Sequence, residues 1–290
     1  MARNILKAHA GTRANRSTGG DVALIILLVF LAVIFAFPLY FAIINSLKPA
    51  NEFFLFPPKF YVMKPTAQNY QTLFRLMSTS WVPFSRYIFN TVMVTVVGTV
   101  GHCIITSLAA FPCSKYNFPG GSGIGKLVRL SLMFNSTVLS LAVYIIMNAL
   151  GWIDTYWSMI VPAIAGSLGF FLMQSFMGVV PDVLLEAAII DGAGFQTLFW
   201  KIVMPLVKSG WLTLAIFKIQ ELWNLTSSSY IYSETLKTLH YAISQVTSGG
   251  IARQGAAAAG SVIMLLVPMF FFIIIQSNVL ETMATSGMKD

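Results

Sequence analysis

Charged side chains are scarce in this sequence of 290 residues: Asp, Glu, Lys and Arg make up 10% of it, where soluble domains carry about 25%. So few charges cannot cover the surface of a soluble protein of this length. Cysteine is scarcer still, and two cysteines exclude a disulfide-stabilised secreted scaffold. Apolar residues instead account for 57% of the chain, and its mean hydropathy is +0.76. This excess excludes a disordered chain and indicates a polytopic membrane protein.

The sequence also lacks the motifs of common catalytic and nucleotide-binding sites. It contains no H-E-x-x-H, no G-x-S-x-G and no GxxxxGK[ST], so we expect neither a catalytic centre nor a cofactor bound by this chain. His102, Cys103 and Cys113 do not supply the ligands of a metal site. The formal net charge of +8 comes without a cluster of interleaved basic and aromatic residues, which argues against nucleic acid as a partner.

Six apolar runs are each long enough to cross a bilayer as a helix of about 20 residues. The tail before the first run, residues 1–21, is basic, and basic flanks are typical of the cytoplasmic side. We therefore expect a multi-pass protein with both termini in the cytoplasm and a long external segment at about 47–86. The predicted spans are residues 22–46, 87–113, 127–150, 156–177, 206–225 and 256–277, within a transmembrane domain of residues 22–278 that a cytoplasmic tail, residues 279–290, follows.

One segment outside the predicted spans, residues 178–210, has the pattern of two short helices joined by a turn. Pro181 and Asp182 resemble a helix start, and residues 183–190 predict the first helix. Asp191-Gly192 ends it, because glycine adopts left-handed backbone angles at little cost. Residues 195–203 predict the second helix, and we expect Pro205 to separate it from the fifth span. The product is a slim helix-turn-helix projection that a cleft in another protein could receive. The side of the first helix that we expect to pack carries Leu184, Leu185 and Ala188.

The same segment resembles the EAA loop of the inner-membrane subunits of ABC importers. The resemblance rests on EAAIIDGA at residues 186–193 and on Pro205, which stands thirteen residues after Gly192. In that family the loop docks into a cleft on the ATPase subunit and transmits ATP-driven closure to the spans. The resemblance implies ATPase-coupling roles for Glu186, Ala187, Ala188, Asp191, Gly192, Ala193, Phe199, Ile202 and Pro205.

Other segments resemble carbohydrate-importer permeases, the group that includes the smaller membrane subunit of the maltose transporter. They are SLKPANEFFLFPP at residues 46–58, RYIFNT at 86–91 and LGWIDTYWSMIVP at 150–162. This resemblance implies an all-α membrane protein of six transmembrane helices with the type I importer architecture, in the cytoplasmic membrane of a bacterium. Its implied function is to form half of the translocation pathway for a sugar or oligosaccharide.

The resemblance also implies partners. They are a second homologous permease, two ATPase subunits or domains that use ATP and Mg, an extracellular or periplasmic sugar-binding protein, and membrane lipid. Two alternatives stay open: an ABC importer permease for another small solute, and an ion-coupled secondary transporter.

Polar residues inside the predicted fifth span form the second candidate site, because intramembrane charge costs about 2.5–3.5 kcal/mol near the bilayer centre. Lys218 and Glu221 stand three residues apart, and Trp223 and Asn224 follow them. One hypothesis is a polar strip, joined by Asn135 of the third span, that lines the substrate path; aromatic stacking and amide hydrogen bonds suit a sugar. The other hypothesis is an internal ion pair beside an interfacial tryptophan.

Overall fold

The chain is all-α in a computed structural model, which describes residues 18–53, 55, 57, 59–78, 81–134, 136–226 and 230–286. Within these residues there is no strand, and the predicted all-α class is confirmed. Asn135 and residues 1–17 of the predicted tail lie outside the described residues. The helices are α1 (Thr18–Leu47), α2 (Ala50–Phe53), α3 (Gln68–Ser78), α4 (Phe84–Lys115), α5 (Gly121–Ser131), α6 (Ser136–Ala149), α7 (Trp157–Ile164), α8 (Ser167–Gly178), α9 (Asp182–Ile190), α10 (Phe195–Thr197), α11 (Met204–Leu206), α12 (Lys208–Trp223), α13 (Leu239–Thr247) and α14 (Gln254–Ser286), with a π-helical stretch at Leu198–Val203.

Five of the six predicted spans have a helical counterpart in the described part of the chain. Four are helical segments long and apolar enough to cross a membrane: Gly19–Leu47, Phe84–Lys115, Trp157–Gly178 and Gln254–Gln276. A fifth is a pair of helical segments, residues 195–206 and 208–223, bent by 78°. The outermost helices are longer than predicted, because α1 begins inside the predicted tail and α14 continues to Ser286.

The third predicted span, residues 127–150, is not one helix. It is divided between α5, of 11 residues, and α6, of 14, and neither reaches the length of about 20 residues that a single crossing needs. The break follows Ser131, whose hydroxyl donates to the carbonyl of Val128 at 2.7 Å and lies 2.6 Å from the hydroxyl of Ser167 on α8. Serine that bonds the backbone and a neighbouring helix competes with continued helix formation, and a hydropathy pattern does not reveal this competition.

Helix α4 is the centre of the bundle. It packs against α7, α8 and α12, and its buried face is made largely of small residues, which let helix backbones approach closely in membranes. At Gly98 a Cβ would stand 2.6 Å from Cδ1 of Leu222 on α12, so a larger residue there would require the Leu222 side chain to shift. By contrast, α1 packs against α14 and exposes most of its large apolar side chains, as expected of a helix that faces lipid.

The ring of His102 fills a break in the fourth span. Helices α7 and α8 are separated at Ala165 and Gly166, and Nδ1 of the buried His102 lies 2.8 Å from the carbonyl oxygen of Ile164 at the end of α7. A Cβ at either Gly166 or Gly169 would overlap the imidazole ring. The histidine therefore serves packing, and it also binds a carbonyl that the break releases.

Candidate functional site

The segment of residues 178–210, here called the coupling loop, has the predicted helix-turn-helix form. Helix α9 ends at Ile190, and Gly192 follows with φ +82°. The N–H of Gly192 donates to the carbonyl of Ile189 and the N–H of Ala193 donates to that of Ala188, both at 2.9 Å. These two bonds define a Schellman motif, which requires left-handed geometry at Gly192. The predicted turn and its cause are confirmed.

The two faces of the coupling loop differ in burial. Leu185, Leu198, Phe199 and Val203 are buried in one cluster with the ends of α4 and α8. Leu184, which the sequence placed on the packed side, is 46% exposed, because the packed stripe of α9 is narrow and runs through Leu185 and Ala188. The EAA residues divide accordingly: Phe199 is buried, Ala188, Ala193 and Ile202 are half-buried, and Glu186, Ala187, Asp191, Gly192 and Pro205 are exposed.

The outward face of α9 is unusually apolar. Val183 is 71% exposed and Ile190 is 85% exposed, and the exposed Glu186 lies between them in sequence. Large apolar side chains exposed beside a charge are typical of a protein–protein contact. The coupling loop thus presents a surface that suits a partner and is not covered by the described residues of this chain.

The second arm of the coupling loop continues farther than predicted. Residues 195–206 are helical throughout, and the break stands at Val207, with φ −96° and ψ 26°, rather than at Pro205. The cause is the π-helical stretch, in which the N–H of Met204 donates to the carbonyl of Phe199, five residues earlier. This wider turn accommodates a proline that has no N–H and would crowd the carbonyl four residues before it.

Lys115, the last residue of α4, binds the start of the coupling loop. Its ammonium donates to the carboxylate of Asp182 at 2.8 Å, to the carbonyl of Gly178 at 3.4 Å and to the carbonyl of Val180. The Lys115 side chain is only 3% exposed. Lys115 is not among the predicted site residues. The signal that could have found it is a lysine at a span end together with an acidic first turn in the loop helix.

Lys218 and Glu221 form an ion pair inside α12. The ammonium of Lys218 lies 2.9 and 3.0 Å from the two carboxylate oxygens of Glu221, and the side chains are 8% and 63% exposed, respectively. The predicted pairing is confirmed. The Glu221 side chain, however, is largely exposed, so this side of the ion pair is not covered by the described residues of the chain.

Trp223 does not belong to an exposed polar strip. It is 6% exposed and lies in a core with α3, α13 and α14, and its indole N–H donates to the carbonyl of Met264 at 3.0 Å. Met264 stands four residues before Pro268, which has no N–H to offer that carbonyl. Trp223 thus replaces the missing helical donor of α14, a tertiary role that the spacing within α12 cannot show.

Asn224 lines a cavity of about 760 Å³ between α12, α13 and α14. Nδ1 of His240, also in its wall, is buried without a hydrogen-bond partner among the described residues. Of the predicted path residues that the structure describes, Asn224 lines this cavity, and Lys218, Glu221 and Trp223 do not. The cavity's polar lining residues are Gln220, Asn224, His240, Ser244, Thr247 and Ser261.

At the end of the bundle opposite the coupling loop, α4 and a turn hold residues 230–239, here called the far segment. Asp154, with φ +58°, accepts the N–H groups of Tyr232 and Ser233 at 3.0 and 2.8 Å and the hydroxyl of Ser233. The side-chain and backbone hydrogen bonds of Ser233 hold the pKa of Asp154 below its usual value. From α4, Nδ2 of Asn90 donates to the carbonyls of Thr235 and Lys237, both at 2.9 Å.

Residues 103–283, well over half of the chain, match the family described as the inner membrane component of binding-protein-dependent transport systems. The chain belongs to this family. It is therefore an inner-membrane permease component, of a kind that is not catalytic, and the predicted family and membrane location are confirmed.

The permease is similar over most of its length to several known proteins. It is 29% identical to Protein LplC of Bacillus subtilis over 234 residues, which cover 78% of this chain and 75% of LplC. It is 28% identical to the sn-glycerol-3-phosphate transport system permease protein UgpE of Yersinia enterocolitica over 207 residues, 71% of this chain and 74% of UgpE. It is 27% identical to the inner membrane ABC transporter permease protein YcjP of Escherichia coli, covering 76% and 79% of the two chains.

The fold of the permease is also that of a solved structure. A chain of a bacterial ABC transporter involved in the import of the acidic polysaccharide alginate matches with a TM-score of 0.75 at 18% identity, over 91% of this chain and 99% of that one. The predicted importer-permease architecture is confirmed at the level of the fold.

Proposed function

We propose that this permease forms half of the translocation pathway of an ATP-driven importer for a sugar or oligosaccharide. The observation that carries the proposal is the coupling loop, whose EAA residues Glu186, Ala187, Asp191 and Gly192 are exposed on a preformed helix-turn-helix with an apolar outward face. Such a surface suits the cleft of a separate ATPase, which would bind ATP and Mg.

The carbohydrate substrate is supported by two similarities. The alginate importer handles a polysaccharide and UgpE belongs to a system for a phosphorylated polyol. The cavity beside Asn224 contains amide, hydroxyl and imidazole groups, and such donors and acceptors suit sugar hydroxyls. A phosphorylated polyol is the second candidate substrate, and the relationship to UgpE favours it.

The complete importer needs a second wall for the pathway. The exposed part of the Glu221 side chain and the polar groups of the open cavity would otherwise face lipid, where charged and polar groups are costly. We therefore assign a second homologous permease to this face, two ATPase subunits or domains to the coupling loop, and a solute-binding protein to the opposite end. In this orientation both termini lie in the cytoplasm. An ion-coupled mechanism has less support, because both oxygens of Glu221 already bind Lys218.

The test is ATP hydrolysis by the complex reconstituted in proteoliposomes with its ATPase and binding protein, with and without candidate sugars and polyol phosphates. We expect the true substrate to stimulate hydrolysis and to accumulate inside. Glu186→Lys and Gly192→Val should abolish the stimulation while the protein stays in the membrane. Valine at φ +82° costs about 1–2 kcal/mol.

Gly123→Val is the matched control for the glycine substitution, because Gly123 lies in α5 with no atom within 4 Å of an added Cβ. It should leave stimulation unchanged. Normal stimulation with both coupling-loop variants would contradict the assignment of the loop. Stimulation by no sugar or polyol phosphate, but by another class of solute, would contradict the proposed substrate.

A further inference from the structure

Three helix ends meet at the ammonium of Lys115. It belongs to the last turn of α4, it binds the carbonyls of Gly178 and Val180 where α8 ends, and it pairs with Asp182 where α9 begins. A cation is favourable at the carbonyl end of one helix, and an anion is favourable at the N–H end of the next. Since the Lys115 side chain is almost fully buried, its charge depends on these three acceptors.

The second arm of the coupling loop is attached to α4 one turn earlier. The fully buried ring of Phe111 lies 5.4 Å from that of Phe195 and 5.7 Å from that of Phe199, centroid to centroid. Both arms of the loop are thus attached to the same end of α4, the first by charge and hydrogen bonds, the second by aromatic packing.

The other end of α4 is attached to the far segment. Besides Asn90, the Oγ1 of Thr91 accepts the N–H of Leu239 at 2.7 Å, and Nε of Arg86 donates to the carbonyl of Thr235 at 3.3 Å. α4 has 32 residues and is therefore about 48 Å long at 1.5 Å per residue. One helix thus contacts the coupling loop at one end and the far segment at the other.

We propose that Lys115 is a positioning residue which makes the coupling loop and α4 move as one body, so that movement of the loop reaches the far segment on the opposite side of the membrane. The inference rests on the proposed function, because it assumes that an ATPase moves the loop. Lys115 touches no substrate and acts by holding Asp182 and the end of α8. Lys115→Met keeps the apolar stem but leaves both carbonyls and the carboxylate without their cation.

The experiment measures thiol labelling in the far segment, while the substitution is made at the opposite end of α4, where Lys115 binds the coupling loop. Thr235→Cys places a thiol at an exposed position of the far segment, and its reaction with a membrane-impermeant maleimide is followed in the assembled complex with and without ATP and vanadate. The chain without the added cysteine gives the background from the half-buried Cys103 and Cys113. We expect vanadate trapping to change the labelling rate by about fivefold or more, the low end of ordinary coupling between two sites.

Lys115→Met should bring the ratio of the two labelling rates close to one, and Lys115→Arg, which keeps the cation, should restore it. Lys126→Met, at an exposed lysine of α5, is the matched control and should leave the ratio unchanged. Asp182→Asn is the milder second variant, because the Asp182 side chain is 72% exposed and its loss leaves the packing in place; it should lower the ratio as well.

The outcomes separate this inference from the proposed function. A wild-type complex whose ATP hydrolysis no solute stimulates would refute the proposed function. Two results with a stimulated wild-type complex would refute the inference alone. One is a wild-type labelling ratio of one; the other is a wild-type ratio that both Lys115→Met and Asp182→Asn leave unchanged. If the Lys115→Met complex does not assemble, the labelling ratio of Asp182→Asn decides: a ratio equal to that of the wild type refutes the inference. A merely structural role for Lys115 would lower the amount of complex without changing the ratio in the complex that remains.

Discussion

Replacing Trp223 with phenylalanine should destabilise the permease through a carbonyl on a different helix. The indole N–H of Trp223 is the donor for Met264, whose helical donor is missing because Pro268 stands four residues later. Trp223→Phe leaves this carbonyl unpaired in a buried, membrane-embedded site. An unsatisfied buried acceptor costs about 1–3 kcal/mol, and measured hydrogen bonds between membrane helices average nearer 0.6 kcal/mol.

The reasoning is tested by combining this change with Pro268→Ala. Alanine at position 268 restores an N–H to α14, which then binds the Met264 carbonyl within the helix. Trp223→Phe should cost less in that background, and the double-mutant cycle should give a coupling free energy of about 1 kcal/mol. The measurement is unfolding of the purified permease in detergent by titration with a denaturing detergent, for the four members of the cycle.

Trp211→Phe is the control, because Trp211 lies about three turns earlier on the same helix and packs in the coupling-loop core. It should combine additively with Pro268→Ala. Additivity within about 0.3–0.5 kcal/mol for Trp223→Phe as well would refute the account of the indole as a replacement donor.

Three further changes have defined outcomes. The double variant Lys218→Met with Glu221→Gln should be tolerated better than either single variant, because each single change leaves one charge uncompensated. The measurement is uptake of labelled sugar at matched membrane levels. A double variant that is no better than Lys218→Met would instead assign Lys218 to the substrate path. Asp154→Asn, which tolerates the positive φ of that position, should loosen the far segment at neutral pH, as faster protease cleavage there would show. Since the pKa of Asp154 is lowered in the folded state, its stabilisation of the far segment is complete above the ordinary carboxyl pKa and is lost as the pH falls. Protease cleavage of the wild-type far segment should therefore accelerate only below about pH 4. Equal acceleration at pH 6 would exclude this carboxylate as the cause.

The sequence predicts those parts of the permease that local signals determine. Gly192 is an example: a helix-length apolar segment followed by Asp-Gly specifies a left-handed helix end, and the structure has it. Hydropathy likewise locates α1, α4 and α14, because long apolar runs are specific for membrane helices. The predicted ion pair of Lys218 and Glu221 also follows from spacing within one helix.

The sequence fails where a tertiary contact decides. The division of the third predicted span involves a contact between Ser131 and Ser167 on another helix. The indole of Trp223 donates to the carbonyl of Met264, 41 residues away in sequence, whose helical donor is missing at Pro268. The role of Lys115 depends on where α8 ends. Each of these partners is identifiable only once the helices are packed, because the sequence shows no periodicity that links them.

The fit of His102 between Gly166 and Gly169 has a consequence for how this protein tolerates change. A methyl group at either glycine would overlap the ring, and a smaller residue at 102 would leave a void beside a carbonyl that has lost its partner. Substitutions at these three positions should therefore succeed only in combination. Among homologous sequences, residues larger than glycine at 166 and 169 should occur together with a small side chain at 102, so that the three positions vary as a unit.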